Sequence, residues 1–130
     1  MIRLVSVALF GLIPACQTDE TVAAYGAAGT TWTLVEQNGT PFSDPATLVF
    51  GEDGNVSGQA PCNTFSFTNG LPYPWFETGP VASTKMACPA LDAETNFFEN
   101  LSAMTRVILG DGKMVMANDD GGEMVFIPAE

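Results

Sequence analysis

The chain has 130 residues, enough for one compact domain once a leader is set aside and too few for two. Hydrophobic residues make up 46% and mean hydropathy is +0.18, which supplies a real core and argues against disorder. Four cations against fifteen acids give a formal charge of −11, and histidine is absent. That balance excludes a basic nucleic-acid-binding patch, Ser-His-Asp and Cys-His nucleophilic sites and every histidine-containing zinc site.

Residues 1–15, MIRLVSVALFGLIPA, carry one cation at Arg3, then an apolar run over 4–13, then small residues. Ten residues are too few to span a bilayer, which needs about 20, so the segment reads as a secretory signal peptide. It runs into Cys16 as LIPAC, which resembles the bacterial lipobox, with Pro14 unusual and Leu12 one place early. The expectation is a lipoprotein-type signal peptide over 1–15 and lipidation at Cys16. Gln17 after the cysteine resembles outer-membrane sorting. Diacylglycerol plus an N-acyl chain exceeds the two hydrophobic anchors that stable attachment requires. The alternative is an ordinary cleavage site and a soluble periplasmic protein. Processing removes Arg3 and no acid, leaving three cations against fifteen acids, a formal −12. An anionic membrane surface repels such a folded domain. Residues 16–30 are expected to form a flexible tether; its fourteen residues from Gln17 to Thr30 are small and polar with little periodicity and span about 20 Å.

From residue 31 the pattern changes. TWTLVEQ (31–37) alternates, with Trp32, Leu34 and Glu36 assigned to one face, and Asn38-Gly39 makes a turn. Residues 47–60 read as a hairpin around Asp53-Gly54-Asn55. CNTFSFTNG (62–70) alternates again, with Cys62, Thr64 and Ser66 opposite Phe65 and Phe67. LPYPWFETGP (71–80) holds three prolines and cannot be a regular central strand. VAST (81–84) is a short strand. Residues 90–104 form the single predicted helix: Phe97, Leu101 and Met104 recur on one face beside Phe98, with Glu94 and Glu99 assigned outward and Asp92 or Thr95 as its cap. RVILG, KMVMA and EMVFIP then read as three strands joined by glycine-rich turns. The predicted fold is α+β and mostly β: a small antiparallel barrel-like sheet of about eight short strands wrapped around one amphipathic helix.

Setting Cys16 aside leaves Cys62 and Cys88. Export to an oxidising compartment favours a disulfide between them; buried free thiols and thiol chemistry are the alternatives. Nucleophilic chemistry lacks a histidine base, and two sulfurs alone are too few ligands for structural zinc. Asn63 is assigned as a turn-forming side chain, and Thr84 as a backbone partner near the bridge.

Several motifs together resemble the META domain family of HslJ-type bacterial envelope proteins. They are W-T-L at 32–34, L-V-F at 48–50, G-x-x-P-C-N-x-F at 58–65, STKMACP at 83–89 and E-x-x-F-F-x-x-L at 94–101. The domain is placed at 31–128. The resemblance implies a small barrel-like sheet around a helix, a disulfide between the paired cysteines and no established enzymatic activity. Ala60-Pro61 stand where the family often has a glycine before the cysteine, and the proline-rich 71–80 replaces a simpler strand.

Tyr73, Trp75 and Phe76 between the prolines form a candidate interaction surface, weighed against Trp75 or Phe76 plugging the barrel end. The acidic turns at 51–55 and 118–123 lack the alternating ligand spacing of a calcium loop. The functional expectation is a non-enzymatic envelope lipoprotein, monomeric, without cofactor or metal. It is placed on the outer membrane facing the periplasm, possessing a lipid anchor and binding or supporting an unknown envelope protein, in connection with stress. A carrier of a small apolar ligand in a sheet–helix cleft is the alternative.

Overall fold

Alternation of apolar and polar side chains gives each strand one face to bury. The computed structural model, which describes residues 20–129, joins those faces in one antiparallel sheet. The strands are β1 Thr31–Gln37, β2 Thr40–Pro41, β3 Thr47–Phe50, β4 Asn55–Gln59 and β5 Thr64–Thr68. They continue as β6 Ala82–Ser83, β7 Arg106–Gly110, β8 Lys113–Ala117 and β9 Glu123–Pro128. Their order is β6-β5-β4-β3-β1-β9-β8-β7, with β2 added on β1. The signal peptide expected over 1–15 and the lipidation expected at Cys16 lie outside the described residues.

The sheet curls without closing, because its edges β6 and β7 do not pair. The proline-rich 71–80 segment lies along the β7 edge instead. Trp75 forms a bridge with Arg106; Val107 donates its N–H to Pro74 O at 2.8 Å and Phe76 donates to Thr105 O at 3.0 Å. Leu109 donates to the Tyr73 hydroxyl at 3.2 Å. Edge N–H groups that would otherwise invite another strand are thereby occupied. The Tyr73–Pro74 peptide is cis.

Helix α1, Leu91–Ala103, turns Glu94, Phe97 and Leu101 into the core. Phe97 and Leu101 are buried among Phe65, Met114, Met116, Met124 and Phe126. Rings run in contact from the helix toward the 71–80 segment. Phe98 meets Phe65 edge-on at 5.2 Å, Phe65 stacks on Phe67 at 6.3 Å, and Phe67 meets Phe76 edge-on at 5.9 Å.

Four local expectations are corrected. A β-bulge between Leu34 and Glu36 against β9 shifts the alternation, so Gln37 rather than Glu36 turns inward. Ala90 occupies the N-cap position of α1 and supplies no side-chain cap; Thr95 instead donates to Leu91 O one turn back. Glu94 is buried rather than outward. Over residues 20–30 the tether is folded. Val22, Ala23 and Ala27 are buried, the Trp32 indole donates to Ala27 O at 3.1 Å, and Ala28 bridges Phe50. Small side chains in a 3-10 turn at Val22–Tyr25 pack without a period of 2 or 3.6, so the sequence carries no periodic signal there.

Candidate functional site

Two places gather the residues singled out in the sequence. At the first, Cys62 and Cys88 are joined in a disulfide with Cα atoms 5.6 Å apart, closing a separation of 26 residues. Between the joined segments lies Asn63, buried, with every side-chain hydrogen-bonding group engaged. Its Nδ2 donates to Met86 O at 2.9 Å and to Glu94 Oε2 at 2.6 Å. Its Oδ1 accepts from the Thr84 hydroxyl at 2.8 Å and from Met86 N at 2.7 Å. Asn63 does the work of a strand partner for 84–86, and Thr84 in turn accepts from Thr64 N at 3.2 Å.

Glu94 completes this network from the helix. Its Oε1 accepts from the backbone N–H groups of Cys62 and Asn63, at 3.0 and 2.8 Å. The carboxylate is only 4% exposed, and these charge-assisted bonds offset its desolvation. Cys62, Asn63, Thr84, Met86, Cys88 and Glu94, scattered over 33 positions, therefore form one clasp between β5, the 84–88 loop and α1. Sequence reasoning missed Glu94. The signal was present, since Glu94 lies three residues before Phe97 and seven before Leu101, on the buried stripe of the helix. Beside the clasp runs a groove of about 350 Å³, lined by Lys85, Met86, Leu91, Glu94 and Phe98 among others.

The second place is the 71–80 strap. Asn69, itself buried, holds its two ends by accepting from Leu71 N and Glu77 N, both at 3.3 Å. The strap separates the three aromatic residues assigned to one surface. Phe76 is 2% exposed and plugs the core against Phe67, so it is an anchor rather than a contact residue. Tyr73 is half-buried, its ring stacked on Tyr25 with centroids 4.7 Å apart. Trp75 is 52% exposed and forms the rim. Leu71, Trp75, Phe76, Glu77, Met104 and Thr105 line most of a groove of about 550 Å³ between the strap and the end of α1.

The acidic 118–123 turn is organised by Asn118. Asn118 Oδ1 accepts from Asp120 N and Gly122 N, and its Nδ2 donates to Ala103 O. Among the described residues no group of three or more His, Cys, Asp or Glu side chains is placed to hold a metal ion.

No curated protein is significantly similar to the chain in sequence. Solved structures share its fold. An NMR structure of a protein from Burkholderia xenovorans aligns with TM-score 0.65 at 21% identity, over 95% of this chain and 99% of that one. A second NMR structure aligns with TM-score 0.61 at 23% identity, over 75% and 87%. The crystal structure of a DUF4847 family protein from Bacteroides vulgatus aligns with TM-score 0.57 at 17% identity, over 82% and 96%. The META domain family matches residues 26–130, taking in both the clasp and the strap. The chain belongs to the META domain family.

Proposed function

We propose that this protein is a non-enzymatic envelope lipoprotein, anchored through Cys16, whose META domain is a binding or support module. The observation that carries the reading is the division of labour in the strap. Phe76 is committed to the core, while the adjacent Trp75 stands 52% exposed at a groove rim. Tryptophan is among the side chains most enriched at contact hot spots. Both domain cysteines are engaged in the disulfide, as suits an oxidising compartment, and neither is left as a nucleophile.

The alternative, a carrier of a small apolar ligand, finds less support between sheet and helix. Phe97, Leu101, Met114, Met116, Met124 and Phe126 are all fully buried there. A ligand would have to use the strap groove instead.

The test is a photo-crosslinking residue at position 75 in protein expressed in its own host, with the same residue at position 52 as the control. The expected result is an adduct with an envelope component from position 75 only. Equal labelling from both positions, or recovery of the protein wholly in the cytosol, contradicts the reading.

A further inference from the structure

We infer that the strap-covered β7 edge, with Tyr25, Trp75 and Ile108 exposed around it, rests on the lipid bilayer that holds the Cys16 anchor. The inference names the partner of the Trp75 surface and rests on the lipoprotein reading above.

It starts from the correction to the tether. The fold begins by residue 20, where Glu20 O accepts the Tyr73 N–H at 2.6 Å. Four residue steps separate Cys16 from Glu20, and even fully extended they reach only about 14 Å. A domain on so short a leash cannot stand off the membrane. The strap, to which Glu20 is bonded, is the part held nearest to the lipid.

Tyr73 links the exposed side chains around that edge. Its ring stacks on Tyr25, its hydroxyl accepts from Leu109 N on β7, and Trp75 follows two residues later. Trp75 bridges Arg106, and Ile108, two residues on along β7, stands on the same face as Arg106. Tyr25, Trp75 and Ile108 are 60%, 52% and 49% exposed. Among the described residues only six large hydrophobic side chains are exposed, so half of them gather beside the point where the chain leaves for its anchor. Tyr and Trp are the side chains that settle at a membrane–water interface, with apolar rings and a polar atom for the headgroup layer.

Charge sets the kind of lipid. A mature formal charge of −12 opposes an anionic surface, so the contact belongs on a zwitterionic one. An envelope protein is the competing occupant of the same face.

The test uses the full chain, extracted in detergent, checked for acylation by intact mass and reconstituted into phosphatidylcholine vesicles. A matched set carries bromine on the acyl chain near the headgroup. Trp32 is only 6% exposed, so the Trp75→Phe variant supplies its background. Trp75 emission is expected to fall about twofold or more in the brominated vesicles, and its access to aqueous iodide to fall with it. Acylated protein whose Trp75 stays unquenched by bromolipid and open to iodide overturns this inference alone. Crosslinks from position 75 to a protein, with no bromolipid quenching, give the face to that protein and overturn it too. An intact mass without acyl chains removes the anchor and both readings together.

Discussion

The Glu94 carboxylate, from the first turn of α1, accepts three hydrogen bonds from residues 62 and 63, two of them from Asn63. It accepts from the Asn63 backbone at 2.8 Å and from the side-chain amide at 2.6 Å, and it accepts from the neighbouring Cys62 N–H at 3.0 Å. The helix is therefore held to the disulfide by a buried acid as well as by its apolar stripe. Glu94→Ala leaves those donors bare, and each buried donor so stranded costs about 1–3 kcal/mol. Glu94→Gln keeps one acceptor oxygen but sets its amide against the Asn63 amide, donor facing donor. Both variants are expected to lower the urea midpoint with the disulfide intact. A change under about 0.5 kcal/mol in Glu94→Ala, as at an ordinary surface position, would remove the clasp from the account.

The disulfide closes a loop across 26 residues. On the chain-entropy estimate its loss costs about 3.5 kcal/mol. The Cys62→Ser, Cys88→Ser double variant, and the wild type under reductant, are expected to unfold earlier by similar amounts in the same urea series. A wild type insensitive to reductant contradicts this.

Gly58 explains one letter of the G-x-x-P-C-N motif. It faces Phe65 across the β4–β5 pair, and a Cβ added to it would lie 1.9 Å from Thr47 O and 2.8 Å from Phe65 Cζ. The first of these is backbone and cannot swing aside. Gly58→Ala is expected to cost about 3 kcal/mol or more, or to prevent folding. Gly70 meets nothing within 4 Å, and Gly70→Ala is expected to lie within about 1 kcal/mol of wild type. Thermal melts of the pair decide it, and equal shifts would contradict the packing described.

The two roles inside the strap separate cleanly. Phe76→Ala empties a buried ring site and is expected to cost about 3–5 kcal/mol. Trp75→Ala, at a half-exposed position, is expected to change stability by less than about 0.5 kcal/mol. The reverse ranking in chemical denaturation would mean that Trp75 is structural and the surface reading is misplaced.

What was legible in the sequence followed from short-range pattern. Alternation placed Phe65 and Phe67 inward, the Asn38-Gly39 turn takes positive φ angles of 52° and 78°, and Phe97, Leu101 and Met104 mark the buried helical stripe. Apart from the helix cap, the errors share a cause, since each depends on a partner outside the local pattern. Glu94 reads as a surface acid until the N–H groups of residues 62 and 63 arrive 31 or 32 positions away. Glu36 reads as inward until β9 imposes a bulge. Val22 and Ala27 read as linker until the Ala28–Phe50 bridge and the Trp32 indole bond to Ala27 O fold their segment onto the sheet. Trp75 and Phe76 are neighbours in a proline-rich run, and no local signal says which one the core takes.

The structure holds a disulfide-stapled META domain, and the proposed function adds lipid at Cys16 as its hold on the envelope. The most direct test is the intact mass of the protein from detergent-extracted membranes, with thiol alkylation before and after reduction. The account predicts residues 16–130 bearing a diacylglyceryl group and an N-acyl chain, with Cys62 and Cys88 alkylated only after reduction. A mass without lipid, or ready alkylation without reductant, contradicts it.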